Sequence, residues 1–350
     1  MNVWGNTIKL SIFGESHGAA VGVVVDGLPA GEVVDEGAIG REMERRAPGR
    51  GLLATARREV DALEVLSGLH EGKTTGFPVC GVIRNADARS DDYGAELRPG
   101  HADWTALLKF GGQADMRGGG HFSGRLTAPL VFAGSLAKQI LARKNIEALA
   151  RIVSIGGIED NEWRNNDREG FRTLSTLDFP ASPKAGEAMK NAIKTARETG
   201  DSVGGVVEGV VFGLLGGLGE PFFGSVESVA ASLLFSIPAV KGVEFGDGFR
   251  LATMRGSEAN DPLRVQDAAI QAQTNHCGGI LGGITNGMPL VVRAAFKPTP
   301  SIARPQDSVD AGTMKNVSLE IKGRHDPCVV PRAVPVVEAC LALCALDMLL

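Results

Sequence analysis

The sequence predicts an α+β protein built on antiparallel sheet. Candidate strands come in adjacent pairs, and helices interrupt them without regular βαβ alternation. Glycine reaches 47 of 350 residues, roughly twice the usual ~7% share, and it clusters between elements as tight turns. No fixed-period repeat divides the chain. With 43% hydrophobic residues the chain can bury a substantial core, and it is read as a single domain over 1–350.

Residues 7–13 alternate enough to form a strand, which ends in Gly14-Glu15-Ser16-His17-Gly18. A second strand over 21–26 is closed by the turn Gly27-Leu28-Pro29. A histidine in a glycine-flanked turn is not core filling, although an ordinary surface turn would also fit it. Asp35 can N-cap a helix running to Arg46 and stopped by Pro48-Gly49. Inside it Glu42 and Arg46 make a favourable i,i+4 pair, whereas Arg41 and Arg45 make an unfavourable one. Six arginines (41, 45, 46, 50, 57, 58) face two acids (42, 44) between residues 41 and 58. In a chain of net charge −5, such a basic run suits an anion-facing role better than a solvated helix face.

Strands at 59–67 and 77–84 make a hairpin with a long loop around His70, and 86–99 reads as irregular. The chemistry concentrates between Arg98 and Leu130, which hold two of the six histidines, three arginines and the run Gly118-Gly119-Gly120. That run feeds a helix over 123–143 with an apolar stripe of Leu126, Leu130, Ala133, Leu136 and Ile140. A loop entering a helix N-terminus is a favourable anion site. Arg125, in the first turn, has the wrong sign for an empty helix start.

Beyond it come a strand at 151–157, a solvated polar connection over 159–178, a helix at 184–198 and a strand at 202–214. A Gly/Pro/Phe loop leads to a helix at 225–235 and a strand at 239–245. The 263–274 segment reads as a helix, followed by a glycine cluster with His276 at 275–283. A strand at 289–296 runs into the rigid Lys297-Pro298-Thr299-Pro300-Ser301. A last strand at 317–322 leads to Gly323-Arg324-His325-Asp326-Pro327-Cys328, and a helix over 334–349 closes the chain.

The acidic net charge argues against nucleic-acid or membrane-surface binding, so an anionic ligand must be met by a local concentration of arginine. Five cysteines without a CxxC pair, with Cys340 and Cys344 on one helix face, fit a reduced compartment. The N-terminus lacks signal-peptide features and no apolar run is long enough to span a bilayer, so a cytoplasmic protein is expected. No histidine pair or acidic cluster has metal-ligand spacing, so no metal is expected. Neither GxGxxG after a strand nor GxxxxGK[ST] is present. What recurs is a short strand followed by a glycine-bounded turn carrying His, Arg or Asp. If these turns converge, they offer several arginines for a polyanion and imidazoles near neutral pKa for general acid work.

Five stretches, in order, resemble those of the chorismate synthase family: FGESHG (13–18), RPGHAD (98–103), RGGGHFSGRLTA (117–128), NHCGGILGG (275–283) with KPTPS (297–301), and GRHDPC (323–328) with VPRAVPVVEA (330–339). The resemblance implies a β-α-β sandwich of antiparallel sheets with helices, assembled as a homotetramer. It implies an anti-1,4-elimination of phosphate from 5-enolpyruvylshikimate 3-phosphate, giving chorismate. It also implies reduced FMN as cofactor, with NADPH or a separate flavin reductase as its source of electrons.

By the same resemblance His17, His101 and Asp326 are the catalytic candidates: an acid for the departing phosphate, a partner of the reduced flavin and a proton relay. Ser16 and Ser123 are candidate relay members. Arg46, Arg98, Arg125 and Arg324 match substrate-gripping arginines. His121, Phe122, Ser123, Ala239, Gly282, Lys297, Pro298, Thr299, Pro300, Ser301 and Arg324 match flavin-contacting positions, and Arg46 matches one associated with NADPH. The chain departs from the family pattern at His121 and Phe122, where Arg and Ser are common, and at Gly124, Leu52 and Pro238. Arg50 is the candidate replacement for the arginine missing at Leu52. Two other readings stay open: an NADPH-dependent flavin reductase, and an inactive anion- or flavin-binding relative.

Overall fold

The computed structural model describes residues 2–47, 61–85, 96–161, 167–266, 268–321 and 326–350. Two five-stranded sheets, antiparallel at every pairing, form its outer layers. The first runs in space Val3–Trp4, Lys9–Gly14, Ala20–Asp26, Val79–Arg84, Leu63–Ser67. The second runs Val240–Phe245, Leu290–Phe296, Gly205–Phe212, Glu147–Ile155, Ile158–Glu159. The α+β expectation with antiparallel sheet holds.

Helices fill the space between the sheets, and glycines set how close the layers come. A Cβ on Gly81 of the first sheet would lie 2.2 Å from the Phe132 ring of the helix Thr127–Ala142. One on Gly134 of that helix would lie 2.3 Å from Ala339 Cβ in the helix Val330–Leu349, and one on Gly209 of the second sheet 2.3 Å from Leu341. At the two sheet–helix boundaries a side chain thus packs directly on sheet backbone, and between the helices Gly134 lets the chain of Ala339 approach closely. Both central helices are buried nearly all round, which explains their weak amphipathic signal in sequence. The C-terminal helix begins earlier than the sequence suggested, at Val330, because Pro331 sits in its first turn where a missing N–H costs nothing.

The helix Glu36–Arg46 starts as expected, with the Asp35 side chain accepting from the Ala38 N–H. Its charges do not pair as the spacing suggested. Glu42 meets Arg45 and Lys138, and Arg46 turns away to Asp61. Three other expectations fail. The 263–274 segment is a hairpin, Leu263–Gln266 against Ala269–Ala272, held by cross-strand pairing although its Ala and Gln favour helix. The polar 159–178 connection contains the helix Arg168–Ser175, whose Phe171 and Leu174 are buried, Phe171 in a cluster with Leu149 and Val210 of the second sheet. The 123–143 helix begins at Thr127, after a separate 3₁₀ turn Gly124–Leu126.

Among the described residues no helix is long and apolar enough to cross a membrane. All five cysteines are unpaired.

Candidate active site

A cavity of about 870 Å³ opens between the first-sheet edge, the glycine run, the 297–301 segment and the N-terminal ends of both central helices. That is near the upper end of the ~300–1,000 Å³ typical of ligand sites. Leu10, Ile12, Leu126, Leu130, Leu233, Ile237 and Phe296 give it apolar walls.

The glycine run earns its unusual composition here. Gly118, Gly119 and Gly120 have φ of 59°, 89° and 53°, a left-handed path that residues with a Cβ rarely follow. It lets the His17 ring come close against the backbone, since a Cβ on Gly118 would sit 2.5 Å from His17 Nε2. The Gly120 carbonyl accepts from the Ser16 N–H at 3.1 Å. His121 Nδ1 donates to the Gly14 carbonyl at 2.7 Å, which fixes the proton on Nδ1 and leaves Nε2 as the acceptor of the neutral ring. So His121 ties the loop to the strand Lys9–Gly14, a side-chain role that sequence could not supply.

Across the cavity, the 98–103 turn is stitched to the 297–301 segment. His101 Nε2 lies 2.6 Å from Ser301 Oγ, and Lys297 Nζ donates to the Gly100 carbonyl. Ala239, also lining the cavity, is held at φ 75°, and its carbonyl accepts from the Lys297 N–H at 2.9 Å. Non-glycine residues seldom occupy that region, and such strain gathers at functional sites. Burial first, and then the charge of Lys241, lower the Lys297 ammonium below its usual range. Thr299 Oγ1 is buried without a hydrogen-bond partner.

Basic groups dominate the end of the cavity nearest the central helices. One oxygen of Asp61 pairs with Arg46 Nη2 and the other with Arg125 Nη1. Arg125 also donates to Asn85 Oδ1 at 3.0 Å and to the Arg84 carbonyl at 3.2 Å. Arg46 reaches Thr127 Oγ1 only at 3.4 Å, and its buried Nε has no partner among the described residues. Burial, opposed by Asp61 and reinforced by Arg332 and Arg125, pushes the Arg46 guanidinium down to about 10. Arg332 pairs with Asp326 and donates through Nε to the Arg46 carbonyl at 3.1 Å.

Of the sequence candidates, Arg46, His101, His121, Phe122, Ser123, Arg125, Ala239, Lys297, Thr299, Pro300, Ser301 and Asp326 line this one cavity. His17 stands just behind Gly118. Arg98 does not line it: its backbone N–H, Nε and Nη2 all donate to Asp103, at 2.9, 2.8 and 2.7 Å. Burial raises the Asp103 carboxyl, but the hydrogen bonds from Arg98 outweigh it and hold it below the usual range. Pro298 and Gly282 do not line the cavity either, and a Cβ on Gly282 would meet open space. Arg324, Arg50 and Leu52 lie outside the described residues. Sequence reading missed Asp61, Asn85, Lys241 and Arg332. Lys241 sits two residues from the flagged Ala239 and could have been caught; Asp61 and Asn85 belong to no motif.

A model of the family described as chorismate synthase matches residues 8–350. The chain belongs to the chorismate synthase family. A chorismate synthase of Korarchaeum cryptofilum is 47% identical over 350 residues, spanning 99% of this chain and 96% of that protein. One from Thermococcus kodakarensis is 49% identical over 352 residues, spanning 99% and 97%. A solved structure titled "Crystal Structure of Chorismate Synthase" superposes with a TM-score of 0.77 at 29% identity, covering 99% of this chain and 92% of that one. The sandwich architecture is thus shared with a chorismate synthase of known structure.

Proposed function

We propose that the chain catalyses the anti-1,4-elimination of phosphate from 5-enolpyruvylshikimate 3-phosphate, forming chorismate, with reduced FMN bound in the same cavity. The observation that carries this reading is the polarity of one cavity: buried arginines at one end, a lysine- and hydroxyl-bearing segment at the other, and apolar walls between them. A flavin mononucleotide fits that division. The unpartnered Thr299 Oγ1 and the pair Lys241 and Lys297 suit its phosphate, and the Leu126, Leu233 and Phe296 walls suit its ring. Held there in reduced form, it would supply electron density for breaking the allylic C–O bond.

The chain's own residues do the rest. In this reading Arg46 and Arg125 bind the phosphate and hold the charge that grows on it as its bond breaks. His17 gives the leaving oxygen a proton, and the left-handed backbone at Gly118 holds its ring in place. His101, braced by Ser301, faces the flavin. Asp326, held in place by Arg332, accepts a proton in the relay. The apolar walls keep water and oxygen from the reduced cofactor. The electron pair of the C–O bond leaves with phosphate, the ring's existing double bond shifts to the carbon that lost it, and the C–H pair forms a second double bond, so there is no net redox change.

An anaerobic assay with the enolpyruvyl substrate tests this, run once with chemically reduced FMN and once with oxidised FMN plus NADPH. Chorismate is expected in the first condition. NADPH oxidation without chorismate in either would favour a flavin reductase, and flavin binding with neither activity would favour an inactive relative.

A further inference from the structure

We propose that Asp61 is a positioning residue that clamps Arg46 and Arg125 side by side, so that both guanidiniums face one anion in the cavity. The side chains of Arg46, Arg125 and Asp61 are 1%, 3% and 2% exposed. A single carboxylate serves both arginines, one oxygen to each, so the width of one carboxylate sets their separation. Their mutual repulsion is offset by the same group that spaces them.

Where Asp61 stands decides its role. Both arginines line the cavity and Asp61 does not. It therefore backs the pair from the protein side and leaves the cavity side to a ligand; a stand-in anion that substrate displaces would lie in the cavity itself. The two arginines depend on it unequally. Arg125 keeps Asn85 Oδ1 and the Arg84 carbonyl as further acceptors. Among the described residues Arg46 has only the distant Thr127 hydroxyl besides Asp61, and its unpartnered Nε leaves a donor to satisfy. Loss of the clamp should thus release Arg46 first. That the anion is the substrate's phosphate rests on the function proposed above; the clamp itself does not.

Asp61→Asn keeps the shape but turns one acceptor oxygen into a donor that faces a guanidinium. The test is calorimetric titration of the full-length protein with inorganic phosphate, with and without saturating FMN, alongside steady-state kinetics. Expected for Asp61→Asn are a phosphate dissociation constant and a KM that each rise at least tenfold, a smaller fall in kcat, and FMN affinity within about twofold of wild type. Asp61→Glu, which restores the charge one methylene away, should fall between the two. If Asp61→Asn does not fold, Asp61→Glu alone carries the test, with a several-fold loss of phosphate affinity expected. Phosphate affinity unchanged or tighter in the folded variant, or absent from the wild type, would overturn the clamp. Weaker phosphate binding in a protein that makes no chorismate would remove the substrate assignment and leave the clamp standing.

Discussion

Arg45 and Arg46 are neighbours on one helix, yet they enter two buried charge clusters of opposite character. Arg45 makes a two-pronged pair with Glu338 at 2.7 and 2.9 Å, and Lys138 reaches the same carboxylate at 2.7 Å. The Ala150 N–H and Glu42 complete that cluster, which ties three helices to the second sheet and lies away from the cavity. Burial works against the Arg45 charge, but Glu338 and then Glu42 more than offset it and raise the guanidinium above its usual value. Arg46 is shifted the other way, to about 10, because one shared acid does not offset its burial and its arginine neighbours. The first arginine is saturated by protein acids and serves the fold. The second is held on one side only, and its unmet demand marks the binding end of the cavity.

That contrast can be broken from either side. Glu338→Ala should cost most, about 3–5 kcal/mol of stability, since it removes the buried acid at the centre of the cluster and leaves Glu42 alone to meet two cations. Urea unfolding measures it, and turnover per folded molecule should stay within a few-fold of wild type. The same cluster sets acid sensitivity. Burial raises the Glu338 carboxyl, but Lys138 and Arg45 overcome this and hold it at about 2, against an ordinary 4.5. Its depressed value means that the unfolded chain binds the proton more tightly. Its stabilisation is complete above pH 4.5 and is lost as pH falls toward about 2, a slope that Glu338→Gln should flatten.

Arg46→Ala should do the reverse: a loss of about a hundredfold in kcat/KM, roughly 2.7 kcal/mol of transition-state binding. Its stability cost should be smaller than that of Glu338→Ala, because Asp61 keeps Arg125. A larger cost would erase the distinction between the clusters. Gly118→Ala comes next. It forces a left-handed residue at about 1–2 kcal/mol, and it pushes the His17 ring aside, so kcat should drop further than stability explains. Ser301→Ala should be the mildest. Loss of one hydrogen bond to His101, about 1 kcal/mol, should weaken flavin binding about fivefold in fluorescence titration.

Local signals were legible in the sequence: the Asp35 cap, the paired strands, and the glycine run that only a close backbone path can use. Two elements were displaced for identifiable reasons. The 168–175 helix carries its signal in just two apolar residues, Phe171 and Leu174, within a polar stretch. The 263–272 hairpin is specified by pairing between two exposed strands, to which helix propensity is blind. The site was legible where motif residues met across the cavity, as with His101 and Ser301. It was not legible where a solitary residue completed it: nothing near Asp61 in sequence announces two arginines, and Arg332 sits as the lone basic residue in a largely apolar helix. Long-range charge pairing sets these contacts, and spacing along the chain carries no trace of it.

The most direct measurement is the ratio of chorismate to inorganic phosphate formed anaerobically by the wild-type protein from 5-enolpyruvylshikimate 3-phosphate with chemically reduced FMN. Equal amounts of the two, with neither formed when flavin is left out, is the expected result. Phosphate released without chorismate would contradict it.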